Sequence, residues 1–366
     1  MREDKKPIDR KFLLILGMIV GFGLLMLLSA SGPLGYQKFE DSAYFFKHQL
    51  IYGLLPGTFL FLIFSRLDYR KLQFLAPAAL IGSIVLLLLV YIPGIGLHFG
   101  GSGRWVQLGF ISFQPSEFVK LGFLIYVAAW LAKRHDYEAK TLEGGLIPFL
   151  LSLSVIMGLL ILQPNTGSMA VIVGASLTVY FIAGAPLIWF AAIGLASALL
   201  IALLVKLTPY RAARFLTFLH PELDPQGIGY HINQAFLAIG SGGLFGLGYG
   251  HSRQKHLYLP EVAGDSIFAV IAEEMGFLVA CLLLAAIGYL VYRMFIIARR
   301  APDYFGRFLA VGIGAWIGIQ TIFNIASMIG LMPITGVTLP FISYGSSAFV
   351  ALSAACGIMA SISRQS

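Results

Sequence analysis

Asp265 stands where the chain changes character. The run LPEVAGDSIFAVIAEE (259–274) leaves a basic, glycine-rich loop and enters a long apolar segment, with the aspartate on the boundary. Two kinds of chemistry suit a carboxylate there. Partly removed from water, it gains basicity and can take a proton from a sugar hydroxyl. Alternatively, it can hold a divalent cation against a diphosphate leaving group. The structural alternative is a helix N-cap, where an aspartate satisfies free N–H groups and suits the positive end of the helix dipole. A capping box is absent, because Phe268 stands where Glu or Gln would be needed.

Other ionisable groups fall inside apolar runs, where their cost makes each a candidate for function. Glu117 and Lys120 lie three apart, on one face of a helix, and form either a mutual ion pair or a site in which Lys120 holds an anionic headgroup. Glu273 and Glu274 line a substrate path, relay protons or fix packing. Among the basic residues, Arg211, Arg214, Arg253 and Lys255 suit a diphosphate, with arginine able to fork onto its oxygens. Arg104, beside Trp105, is a substrate contact or an interface anchor. Glu261 joins the substrate-binding candidates. The histidines show no metal-ligand spacing, no nucleotide-binding glycine loop is present, and Cys281 and Cys356 read as packed small residues.

What must position these groups is a membrane bundle. The chain is 58% hydrophobic and 11% charged. Apolar runs of bilayer-crossing length recur at 12–31, 46–65, 74–92, 115–133, 146–163, 168–184, 187–206, 266–294, 305–328 and 342–363. The expected fold is therefore all-α: a polytopic membrane protein of about ten transmembrane helices, with residues 1–366 forming one domain and no cleavable leader. The net charge of +8 does not point to nucleic acid. Basic residues collect at the amino terminus and in alternate loops (Arg66, Arg70 and Lys71; Lys133, Arg134 and Lys140; Arg293, Arg299, Arg300 and Arg307), which places both termini in the cytoplasm. Residues 207–264, between helices 7 and 8, then form a long extracytoplasmic loop. Within it YHINQAFLAIGSGGLFGL (230–247) is too broken by glycine to span and reads as an interfacial or re-entrant segment beside an outer cavity.

Several separated motifs resemble those of the shape, elongation, division and sporulation family, whose members include FtsW and RodA. They are GRWVQLG (103–109), QPSEFVK (114–120), LQPNTG (162–167), PELDPQGIGY (221–230), GSGGLFGLG (240–248), LPEVAGDSIFAVIAEE (259–274) and GLMPITGVTLPFISYGSS (330–347). The resemblance implies a peptidoglycan glycosyltransferase that joins lipid II to a growing glycan strand with inversion, releasing undecaprenyl diphosphate. It implies Asp265 as the catalytic residue, with Glu117 and Lys120 as the family's intramembrane pair. A class B penicillin-binding protein, other divisome or elongasome membrane proteins, and stimulation by a divalent cation (Mg or Mn) are implied as well. TLP (338–340) and SRQK (252–255) lean toward the division member. A lipid II flippase and a non-catalytic scaffold of the division machinery are the rival readings. Three positions depart from the family's pattern. Ala263 and Gly264 replace a histidine and threonine before Asp265, Asn165 replaces an outer aspartate, and Tyr344-Gly345-Ser346-Ser347 is one glycine short.

Overall fold

The computed structural model describes residues 7–99, 102–109, 111–134, 138–207, 212–213, 216–218 and 227–366. Among them, every apolar run expected to span is helical. Eight helices are long and apolar enough to cross a membrane, and two shorter apolar helices fill the remaining positions. In chain order the long elements are α1 (Arg10–Phe39), α2 (Tyr44–Arg66), α3 (Ala76–Leu89), α4 (Pro115–Arg134), α5 (Leu142–Leu162), α6 (Thr166–Ile182), α7 (Leu187–Leu207), α8 (Ile228–Ser241), α9 (Ile267–Arg300), α10 (Tyr304–Met328) and α11 (Ser346–Arg364).

α11 lies deepest, with 89% of its apolar window covered, and packs against α2. α10 contacts α4, α6 and α9 in the middle of the bundle. Gly, Ala and Ser on α10 and α11 let backbones approach closely, which is how helices associate where lipid is as apolar as leucine. α7 lies at the periphery, none of its apolar window covered. Cys356 is buried as expected, but Cys281 is exposed on the bundle surface and not packed.

Both termini lie at one end. The Asp9 carboxylate caps α1 by accepting from Phe12 N–H at 2.9 Å and pairs with the Arg293 guanidinium, while Asp9 N–H donates to Ser363 Oγ at 3.0 Å. Asp303 plays the same double part at that end, capping α10 through Gly306 N–H and pairing with Arg70. Asp265 lies at the opposite end, before the first turn of α9.

Between α3 and α4 the described residues form a three-stranded antiparallel meander: β1 (Gly96–Phe99), β2 (Ser102–Leu108) and β3 (Ile111–Phe113). Val106 of β2 pairs with both neighbours and is fully buried. The strands are short and rich in glycine, so alternation alone does not reveal them.

The glycine-broken segment is resolved into two parts. α8 buries Ile232, Ala235 and Ala238, spaced three apart on one face, and packs that face on α9. The following turn is laid into a break in α9 at Gly276, whose backbone adopts φ 80° and ψ 174°. Four hydrogen bonds satisfy the backbone groups that the break exposes. Leu247 and Gly248 N–H donate to the Glu273 and Glu274 carbonyls (both 2.9 Å), and Phe277 and Leu278 N–H donate to the Gly243 and Leu244 carbonyls (2.9 and 3.2 Å). Irregular backbone at this depth persists because protein groups replace the missing water.

Gly276 is obligatory on two counts. Its dihedrals lie in a region open essentially to glycine alone, and a Cβ there would sit 2.3 Å from Gly246 N. Gly276→Ala is therefore expected to destabilise the protein by about 2 kcal/mol or more. Equilibrium unfolding in mixed micelles checks this, and a stability equal to the parent's would contradict the account.

Candidate functional site

The turn that carries Asp265 is built by main-chain bonds. Gly264 and Ser266 N–H both donate to the Glu261 carbonyl, at 2.9 and 3.2 Å. Ser266, not Asp265, takes the N-cap position of α9, and it makes no side-chain capping bond. Ser266 Oγ donates to the Pro260 carbonyl at 2.7 Å and lies 2.6 Å from His231 Nε2 of α8.

Two further groups hold the turn from outside. Asn324 Nδ2, from α10, donates to the Asp265 carbonyl at 2.8 Å and to the Val337 carbonyl at 2.7 Å. Tyr344 N–H donates to the Ala263 carbonyl at 2.7 Å. Tyr344 also places its phenol 3.0 Å from His48 Nδ1, and burial, aided by Tyr44, pushes that phenol up to about 12, so it stays protonated. The missing histidine and threonine before Asp265 are thus made up by a mount assembled from α8, α10 and the loop between α10 and α11. Asp265 itself is buried to 9% exposure.

Glu117 and Lys120 form the ion pair that their spacing allows, at 2.7 Å, and both are buried. Lys120 Nζ also donates to Gln320 Oε1 at 2.9 Å and lies 5.5 Å from the centroid of the Trp316 ring. Of the two readings that the spacing leaves open, the mutual ion pair is the one these contacts display. Lys120 is occupied by protein groups on each side and presents no ammonium to a headgroup. Gln320 Oε1 accepts from Trp316 Nε1 as well, which fixes the amide so that Nε2 donates to the Thr338 carbonyl at 2.9 Å.

Lys255 is held in the same way. Its ammonium donates to Glu274 Oε1 (2.7 Å), Ser29 Oγ (3.0 Å) and the Gly250 carbonyl (2.8 Å), and it is buried, so its three donors are taken. Glu273 accepts from Ser252 Oγ and from Arg253 N–H at 2.9 Å. The two glutamates accordingly fix packing: they fasten the turn 250–255 to the outer segment of α9 and do not line an open path. Arg104 reaches main-chain groups of a neighbouring turn. Its guanidinium donates to the Gln163 and Pro164 carbonyls, clasping β2 to the turn between α5 and α6.

In that turn Asn165 does what a carboxylate there would do for the helix: its Oδ1 accepts from Ser168 N–H, while its Nδ2 donates to Ser116 Oγ at 3.0 Å. Glu261 is exposed in the same turn as Asp265 and stays a candidate contact. Arg211 and Arg214 lie outside the described residues. A cavity of about 670 Å³, lined by Arg134, Glu138, Thr141 and Glu143, sits at the end opposite Asp265.

Asn324, Gln320, His231, Ser266 and Ser29 were not singled out from the sequence. A signal existed for two of them. Gln320 and Asn324 are four apart in QTIFN, two amides on one face of an apolar span, but a search confined to ionisable groups passes over them.

A many-helix membrane bundle with one acidic side chain fixed in a main-chain turn, at the end opposite both termini, is the class these features define. Comparison with known proteins narrows it. The chain belongs to the FtsW, RodA and SpoVE family, described as cell cycle proteins, whose family model matches residues 9–366. It is 39% identical to a probable peptidoglycan glycosyltransferase FtsW of Trichlorobacter lovleyi, over 97% of this chain and 93% of that protein. It is 37% identical to the stage V sporulation protein E of Bacillus subtilis over the whole of both. A chain in a structure of a peptidoglycan synthase complex, described as coordinating polymerization and crosslinking, superposes with a TM-score of 0.80 at 29% identity, covering 98% of each chain.

Proposed function

We infer that this chain, a multi-pass peptidoglycan glycosyltransferase of cell division or elongation, extends glycan strands from lipid II with Asp265 as general base. The observation that supports this most is the placing of Asp265: an acidic side chain at the start of α9, on a turn gripped at its 263 and 265 carbonyls by α10 and the α10–α11 loop. In the reaction, the 4-hydroxyl of an incoming lipid II attacks the anomeric carbon of the growing strand. Asp265 takes the hydroxyl proton as the new C–O bond forms. The bond to undecaprenyl diphosphate breaks on the opposite face, its electrons leave with the diphosphate, and the configuration inverts.

The proposed orientation puts both termini in the cytoplasm of a bacterial inner membrane and Asp265 on the outer side, as the basic loops favour. The proposed partner is a class B penicillin-binding protein, with other divisome or elongasome proteins around it. The division role is the favoured one. Among the described residues, no three histidine, cysteine, aspartate or glutamate side chains cluster to hold a metal ion.

The test is direct. The protein, co-purified with its transpeptidase partner and given lipid II, is expected to yield long glycan polymer that muramidase digests. Lipid II crossing vesicle membranes without polymer would favour a flippase instead, and neither outcome in a folded complex would favour a scaffold.

A further inference from the structure

The catalytic turn is held from outside by two bonds that bracket one glycine. Tyr344 N–H takes the carbonyl of Ala263, and Asn324 Nδ2 takes the carbonyl of Asp265. Gly264 lies between them, the residue type with the widest backbone freedom, so those two grips help to set the course of the backbone that carries Asp265. The Tyr344 grip is main chain and survives any substitution except proline. The Asn324 grip is a side chain.

Asn324 is fully buried, and its Oδ1 has no hydrogen-bond partner among the described residues. A buried amide oxygen left unmatched is a cost that an apolar side chain of the same size would avoid. What the amide provides in return is two donations from one nitrogen, to the Asp265 carbonyl and to the Val337 carbonyl. One turn earlier on α10, Gln320 holds the neighbouring carbonyl of Thr338, and Gln320 is itself fixed by Lys120 and Trp316. Two amides four residues apart thus grasp consecutive carbonyls of one strand-like stretch of irregular chain between α10 and α11. Only the second reaches on to the catalytic turn.

We propose that Asn324 is a positioning residue for Asp265, and that through Gln320 and the 337–338 strand it couples the buried Glu117–Lys120 pair to the aim of that carboxylate. The proposal rests on the reading of Asp265 as the base. It gives the intramembrane ion pair a part in the reaction without contact with substrate: Lys120 fixes Gln320, Gln320 and Asn324 fix the strand, and Asn324 fixes the turn.

The experiment compares the complex of this protein and its transpeptidase partner with variants carrying Asn324→Leu, Gln320→Met, Asp265→Asn and the Asp265→Asn/Asn324→Leu pair. Each is measured for polymerisation rate over a range of lipid II concentrations. Asn324→Leu is expected to lower kcat by about 10- to 100-fold, the scale of a reacting group displaced by about an ångström, with KM for lipid II changed by less than about twofold. Gln320→Met, which loosens the same strand but not the turn directly, is expected to lose less. In the Asp265→Asn background, Asn324→Leu is expected to cost no more than about a further twofold, because residues acting as one unit are not additive.

Unfolding in micelles and binding of the partner are followed in parallel. Asn324→Asp, of the same volume but presenting an oxygen to both carbonyls, carries the same expectation should the leucine variant not fold. A folded Asn324 variant with parental kcat would overturn the proposal. So would a loss that multiplies undiminished onto Asp265→Asn. Robust polymer from Asp265→Asn alone would instead remove the general-base reading beneath it, and the two failures are told apart by which single variant stays active.

Discussion

Asp265→Asn is expected to slow glycan polymerisation by at least ~10²-fold, the usual scale for a lost general base, with the fold and partner binding unchanged. The substitution is close to isosteric and removes the negative charge and with it the ability to accept a proton. The main-chain and Ser266 contacts described above do not use the carboxylate. They use the carbonyls of Ala263 and Asp265 and the hydroxyl of Ser266, all of which the variant keeps. Loss of activity without loss of stability is therefore the expected signature. Single-turnover polymerisation with purified complex reads the rate, and the midpoint of unfolding reads the fold. Polymer at the parental rate would show that some other group takes the proton. A collapse in stability equal to that of a core substitution would show that Asp265 is a cap after all.

The second large effect is on stability. Lys120→Met is expected to cost about 3–5 kcal/mol, the range for removing one member of a buried ion pair. Glu117 would be left as a buried carboxylate whose Oε2 already has no hydrogen-bond partner among the described residues. Methionine fills the volume of the lysine stem, so lost packing adds little, although the contact over Trp316 is given up. The paired change Glu117→Gln/Lys120→Met removes both charges and is expected to recover most of that loss, because a neutral pair in a buried site avoids the desolvation of two ions. Equilibrium unfolding in mixed micelles measures all three proteins. A double variant as unstable as the single one would mean that the ammonium matters for its bonds to Gln320 and not for neutralising Glu117.

The spans were legible because each is a long apolar run, and hydropathy reports such runs regardless of how they pack. The glycine-broken 230–247 segment was legible for a related reason: it is apolar yet cannot be a continuous helix. The break in α9 was not. Gly276 sits in EEMGFL, an unremarkable helical context, and only the approach of Gly246 from a distant part of the chain explains its dihedrals. The candidate site divides in the same way. Asp265 stands out as a lone acid at a boundary, and Glu117 and Lys120 as charges inside a span. Their partners do not stand out, because an amide four residues from another amide carries no charge. The partners of a basic residue are hidden in the same way. Lys255 looks like a phosphate ligand when its loop is read alone. It proves to be the counter-ion of Glu274, which follows only once α9 and the 250–255 turn are seen side by side.

The grip on Asp265 also has a history within each molecule. The turn at 242–248 closes on α9 soon after both have been made, since they are neighbours in sequence. Asn324 follows Asp265 by 59 residues, and Tyr344 comes later still. Chains are built and folded from the amino terminus onward, so the acid leaves the ribosome well before the residues that aim it exist. On this reading a half-made copy threading into the membrane carries the reactive group but not its alignment, and cannot begin to join sugars until its last helix is in place.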